Sequence, residues 1–153
     1  VYAVGDVNGG PQFTYISLDD FRIVFGALTG NGQYTLKDRK NIPYTTFLTP
    51  PLARVGLTEE DAINKGYTVK TKEMLVATMP RAHVNDYLKG AFKIVVDAET
   101  NLILGATLYS QSAEELINLI KMAMDNNIPY TYFKNQIFTH PTMAENLNDL
   151  CNF

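Results

Sequence analysis

The chain of 153 residues is long enough for one domain with an ordinary core, plus a remainder. With 46% hydrophobic and 19% charged residues it has the composition of a globular chain, and a net charge of -3 gives no reason to expect nucleic acid or an anionic membrane as partner. No apolar run reaches the roughly 18–20 residues of a membrane span, and a single cysteine, Cys151, excludes an internal disulfide or a cysteine cage for zinc. With His83 and His140 as the only histidines, no metal site is expected. The lone thiol fits a reducing compartment, so a cytoplasmic location is expected.

In chain order, Val1-Tyr2-Ala3-Val4 reads as a short buried strand ending at Gly5-Asp6. A chain that starts inside a core strand is expected to be a piece of something longer. Phe13 to Leu28 follows as a helix, stopped by Thr29-Gly30-Asn31-Gly32. Residues 29–44 are polar and contain the charged stretch Lys37-Asp38-Arg39-Lys40, which reads as a linker. A domain boundary is placed near Asn41, dividing the chain into 1–40 and 41–153.

The second part is denser in elements. Tyr44–Leu48 and Ala53–Leu57 are strand candidates on either side of Thr49-Pro50-Pro51, where consecutive prolines lock a bend. Thr58 caps a helix to about Lys65, answered by an acid three residues on, and Gly66 stops it. Tyr67–Thr78 is extended, and Pro80–Tyr87 is a connection whose Met79-Pro80-Arg81-Ala82-His83 string reads as solvated. Ala91–Val96 and Leu102–Tyr109 form a hairpin around Asp97–Asn101. Ser112 and Glu115 spell a capping box for the clearest helix, whose Ala113, Leu116, Ile117, Ile120, Ala123 and Met124 share one face. A helical turn over Tyr130–Asn135 and a last helix from Thr142 to Leu150 complete the chain. Strands and helices in this order predict an α+β fold: an antiparallel sheet flanked by helices, preceded by a strand–helix unit.

Two strings bear on chemistry. Gly5-Asp6 after a strand puts a carboxylate at a sheet's carboxyl edge, where ligands bind in open α/β folds. The following helix offers N–H groups and a positive dipole end. The same string also reads as a turn with a capping Asp. In Thr139-His140-Pro141-Thr142-Met143-Ala144-Glu145, an imidazole titrating near neutrality can shuttle a proton. Glu145, one turn into the helix, can turn back to His140 and fix its tautomer, and a cis His140-Pro141 bond would orient the ring and its carbonyl. Equally, Thr142 and Glu145 spell an ordinary capping box, with His140 a mere loop residue.

Taken in order, these strings resemble one family over nearly the whole chain. They run from the strand with Gly5-Asp6 through Phe47-Leu48-Thr49-Pro50-Pro51 and Val55-Gly56-Leu57-Thr58-Glu59-Glu60-Asp61-Ala62 to Thr139-His140-Pro141-Thr142 with Glu145. The pattern is similar to the carboxy-terminal third of the pyridine nucleotide–disulfide oxidoreductases, the FAD/NAD(P)-linked flavoprotein reductases. The resemblance implies that residues 1–40 are the end of an FAD-binding domain and that residues 41–153 are a dimerisation domain. Gly5 and Asp6 would bind a ribityl hydroxyl of FAD, and the helix start near Phe13 and Thr14 would approach the flavin ring. His140, supported by Glu145, would act as acid–base catalyst on the redox thiols of the partner in a homodimer, with the His140-Pro141 carbonyl region near the partner's flavin edge.

NAD(P)H is the implied co-substrate. The amino-terminal flavin fingerprint, the nicotinamide domain and the redox cysteine pair are absent from this sequence, so the chain alone is expected to be inactive and to bind FAD poorly. Gln12-Phe13-Thr14-Tyr15-Ile16-Ser17-Leu18-Asp19-Asp20, Pro80-Arg81-Ala82, and Gln136–Pro141 with Leu147-Asn148-Asp149-Leu150 look closest to the mercuric-reductase-like branch linked to reactive chlorine resistance. Mercuric reductases carry a vicinal cysteine pair near the carboxyl end. Cys151 stands alone, which counts against mercuric-ion delivery. The contrasting reading is a purely structural dimerisation module with no catalytic residue. A free-standing ligand-binding domain is the third.

Overall fold

The computed structural model describes residues 1–153, which divide into two compact units, Val1–Lys40 and Asn41–Phe153. In the first, a single turn of 3-10 helix, Gly5–Asn8, precedes helix α1, Thr14–Thr29, which ends on Gly30 in the left-handed conformation. Val1–Val4 forms no strand. Val4 has extended dihedrals, but the segment is exposed and joins no ladder. An apolar run signals a preference for burial, whereas a strand exists only where a neighbour supplies hydrogen bonds. The stretch expected to be a solvated linker also differs, because Arg39 is drawn in beside Asp19 and Asp20 of α1.

The second unit is an antiparallel five-stranded sheet with helices. Its strands are β1 (Tyr44–Thr46), β2 (Leu52–Gly56), β3 (Val69–Leu75), β4 (Ala91–Asp97) and β5 (Ile103–Tyr109), in spatial order β1-β2-β5-β4-β3. β4 and β5 are the hairpin that the sequence predicts. Asp97 builds its turn by accepting from Glu99 N–H and Thr100 Oγ1, and these bonds, Thr100 first, hold the carboxyl below the usual carboxylate range.

Alternate residues of the central strands point one way. Ala53 and Val55, Phe92, Ile94 and Val96, and Ala106 and Leu108 are buried in one core cluster. Helix α4, Ala113–Asp125, contributes the buried stripe Ala113, Leu116, Ile117, Ile120 and Ala123. Each large aliphatic side chain there is worth about 1.5–3 kcal/mol of burial, an upper bound.

Helix α2, Glu59–Asn64, starts with the reciprocal Thr58/Asp61 box that its sequence spells, a device worth about 1 kcal/mol. The box expected at Ser112/Glu115 is absent: Ser112 sits at φ 64 and its side chain caps nothing. A capping box requires an extended N-cap residue, and the left-handed conformation aims the hydroxyl elsewhere. The Met79–His83 string is a short helix, α3 (Pro80–Val84), with Met79 and Ala82 buried, so it is half core and not wholly solvated. Helix α5, Tyr130–Asn135, matches the expected turn, and α6, Asn146–Leu150, begins four residues later than expected.

Candidate functional site

The predicted site residues fall into two groups, one in each unit. In the second unit, α5 ends at Asn135, and Gln136–Thr139 runs without regular structure to His140. The side chain of Asn148, from α6, ties this run down: its Nδ2 reaches the carbonyl oxygens of Phe133 at 2.7 Å and Gln136 at 2.9 Å, with Lys134 at 3.3 Å. Leu147 and Leu150 anchor α6 itself in the core. Buried Asn146 donates to the carbonyls of Thr142 and Met143, and Thr142 Oγ1 donates to Thr139 O at 2.8 Å. The loop that carries His140 is therefore fixed from both sides. Neither asparagine stands out in the sequence, since side chain-to-backbone clamps leave no periodic signal.

The peptide bond His140-Pro141 is cis. His140 Nδ1 lies 2.8 Å from Glu145 Oε2. The other oxygen, Oε1, accepts from Thr142 N–H at 3.1 Å, and Thr142 Oγ1 accepts from Glu145 N–H at 3.2 Å. The two readings of this string, a capping box or an oriented histidine, hold together, because the carboxylate uses one oxygen for each. An ionised carboxylate only accepts, so in the neutral ring Nδ1 carries the proton and Nε2 presents its lone pair. The His140 side chain is 69% exposed while that of Glu145 is 18% exposed. The carboxylate is thus held within the fold while the imidazole is largely exposed.

His83, the other histidine, is satisfied locally by Ala77 O, 2.8 Å from its Nε2. Cys151 is fully buried, and burial pushes its thiol up to about 12; it is not a nucleophile at neutral pH. A cleft of about 320 Å³ lined by Gly56, Leu57, Lys65, Tyr67, Met124 and neighbours contains none of the predicted site residues. No group of three or more histidine, cysteine and acidic side chains is arranged to hold a metal ion, and no helix is long and apolar enough to cross a membrane.

In the first unit, Gly5 and Asp6 lie in the 3-10 turn, and the Asp6 side chain is exposed. Phe13 is the N-cap residue of α1 and Thr14 its first helical residue; no side chain caps this end. The Phe13 ring stacks on Tyr15 at 5.1 Å. Asp20, not singled out in the sequence, is the buried acid of this unit. It accepts from Gly5 N–H at 2.8 Å and Asn8 Nδ2 at 2.7 Å, and it pairs with Arg39. The Arg39 hydrogen bond, then the Gly5 N–H, hold its carboxyl below the usual range.

Comparison with known proteins places the chain in a family. Residues 42–151 match the model described as "Pyridine nucleotide-disulphide oxidoreductase, dimerisation domain". The probable pyridine nucleotide-disulfide oxidoreductase RclA of Escherichia coli K12 is 51% identical over 150 residues, covering 98% of this chain and 34% of that protein. The mercuric reductase of Lysinibacillus sphaericus is 38% identical over 147 residues, covering 96% of this chain and 27% of that protein. Among solved structures, the HOCl-induced flavoprotein disulfide reductase RclA from Escherichia coli superposes with a TM-score of 0.95 at 51% identity, covering 98% of this chain and 34% of that one. The chain thus spans about a third or less of the length of these relatives, and both kinds of relative lie in the branch suggested by its sequence strings. The α+β architecture and the matched residues agree, and the chain belongs to the pyridine nucleotide-disulphide oxidoreductases, with residues 42–151 as their dimerisation domain.

Proposed function

We propose that the chain is the subunit-pairing part of an FAD-dependent, NAD(P)H-linked disulfide oxidoreductase, in which His140 and Glu145 serve as the acid–base pair for the redox thiols of a second copy. The observation that carries this reading is the Glu145 carboxylate, locked by Thr142 and bonded to His140 Nδ1 at 2.8 Å, behind an imidazole whose other edge is exposed. Such an arrangement fixes the tautomer that accepts a proton at Nε2 and then returns it. The thiol served must come from elsewhere, because the chain's own Cys151 is buried and protonated. Large apolar side chains on the surface of the same unit, among them Ile137 at 92% exposure three residues before His140, suit burial against a second subunit.

The first unit fits FAD through its own residues. Gly5 and Asp6 form a pinned turn with an exposed carboxylate, suited to accept from a sugar-type hydroxyl, and the uncapped start of α1 at Phe13 and Thr14 offers a positive dipole end to an electron-rich ring. Bound flavin would supply two-electron transfer from the nicotinamide to a disulfide. Residues 1–40 are then the end of the FAD domain, and Pro141, with the His140 carbonyl, faces the partner's flavin edge. The chain by itself lacks the rest of that pocket and is expected to hold FAD poorly.

The test is His140→Gln in the intact protein. Thiol-linked turnover should fall by about 10²–10⁴ while stopped-flow reduction of the flavin by the nicotinamide cofactor keeps its rate. Unchanged turnover would remove the acid–base role and leave the pairing role alone.

A further inference from the structure

The first unit buries two side chains, Ile16 and Asp20. A buried charge in so small a unit is a poor device for stability, since apolar packing generally does as well without the cost of removing an ion from water. Its bonds point to another use. Asp20 Oδ2 takes Gly5 N–H and Asn8 Nδ2, the first and last residues of the turn that carries Asp6. Asn8 Oδ1 in turn receives Gly10 N–H at 2.9 Å, so one side chain links Asp20 to the end of the turn. On its other side, Asp20 Oδ1 pairs with Arg39 Nη2, and Arg39 Nε reaches Asp19 Oδ2 at 2.6 Å. The guanidinium fork bridges two adjacent carboxylates, of which Asp20 is the one bonded to the turn.

Contact with α1 is close as well. Gly5 has φ +74, and a Cβ there would lie 2.9 Å from Ser17 Oγ, so the turn sits directly on the first turn of the helix and favours glycine. The turn holding Asp6 and the start of α1 are thereby fixed against each other by a single buried carboxylate.

We propose that Asp20, held by Arg39, is the positioning residue for the flavin: it seats the Gly5–Asn8 turn on α1 and sets the Asp6 carboxylate relative to the helix start. This rests on the reading of Asp6 as a ligand of FAD. The bonds of Asp20 go to Gly5, Asn8 and Arg39, so its effect passes through the turn.

The experiment measures the FAD dissociation constant of the intact protein by titrating the apoprotein and following flavin fluorescence, with far-ultraviolet circular dichroism as a check on folding. The variants are Asp6→Ala, Asp20→Ala, Asp20→Asn and the double variant Asp6→Ala/Asp20→Ala. Loss of a hydrogen bond to a charged group predicts that Asp6→Ala weakens FAD binding by about 10–100-fold. Asp20→Ala should weaken it by about tenfold or more, and Asp20→Asn, which keeps an acceptor for Gly5 N–H but loses the charge facing Arg39, by roughly threefold to tenfold. If Asp20 acts through Asp6, adding Asp20→Ala to Asp6→Ala should cost less than about threefold more. A merely structural role would give losses that multiply, which overturns the proposal. Normal FAD affinity in Asp20→Ala, with affinity lost in Asp6→Ala, overturns it too and leaves the flavin reading standing. Normal affinity in Asp6→Ala sinks the flavin reading and the proposal with it. Should Asp20→Ala not fold, Asp20→Asn carries the same comparison.

Discussion

Replacing Glu145 by Gln separates the two tasks of one side chain. Glutamine can keep the capping bond: its oxygen accepts from Thr142 N–H in place of Oε1, which is 3.1 Å away in the native loop. Its NH2 group then faces His140 Nδ1, where a carboxylate oxygen stood at 2.8 Å. An amide N–H can only be met there by the Nδ1 lone pair, so the ring proton moves to Nε2. The opposite amide orientation keeps the original tautomer but sets two N–H donors against each other at Thr142. Stability should change little, by about 1 kcal/mol or less, because both bonds of the side chain can be kept and each loses only the assistance of the charge. The imidazole, however, loses the lone pair on its outward edge. On the acid–base reading, thiol-linked turnover in the intact protein should fall by about 10²–10⁴, the scale of a lost general base. Nitrogen-15 shifts of the His140 ring in the 153-residue chain check the structural half directly: Nδ1 should bear the proton in the native sequence, and Nε2 in Glu145→Gln. A ring that remains Nδ1-protonated in the variant would refute the reasoning from the carboxylate, whatever the kinetics show.

Two further outcomes follow from the same region. With its thiol pushed up to about 12, Cys151 should be only about 10⁻⁴ thiolate at pH 8, so thiol-reactive probes should modify it slowly until the chain unfolds. Its folded-state pKa is raised, so the linked stability is full below the unfolded value near 9 and is lost as pH rises toward 12. Urea unfolding should show about 1.4 kcal/mol lost between pH 7 and 10, and this part should vanish in Cys151→Ala. Asn148→Ala removes the donor shared by the Phe133, Lys134 and Gln136 carbonyls. It should cost about 1–3 kcal/mol and speed hydrogen exchange over residues 136–142, whereas unchanged exchange would mean that α6 does not hold the His140 loop.

The residues whose roles could be read in advance are those whose signal is local. The Thr58/Asp61 box, the Asp97 turn and the buried face of α4 each depend on neighbours within about one or two helical turns or a hairpin, so residue type and spacing carried them. The Ser112/Glu115 string has the same letters as a working box, but the backbone enters α4 at φ 64 and the letters are not used. Val1–Val4 has a strand's composition and Val4 a strand's dihedrals, yet a ladder needs a partner that composition cannot provide.

The candidate site shows the same division more sharply. His140, Pro141 and Glu145 lie within six residues, and a cap and an oriented base stand as alternatives for them in the sequence. A carboxylate has two oxygens, and here the cap is what aims the second one. Asp20 and Arg39, by contrast, are 19 residues apart, the one within a stretch that reads as helix and the other within a stretch that reads as linker. Only folding brings them together, and only burial distinguishes them from Lys37, Asp38 and Lys40. Both candidate groups therefore follow one rule: an exposed side chain, His140 or Asp6, is bonded to a less exposed acid, Glu145, or sits in a turn bonded to one, Asp20, and each acid is itself fixed to a backbone N–H group. Backbone donors make good anchors because they cannot rotate away. An acid fixed in this way can orient a base or seat a turn without being exposed to solvent competition.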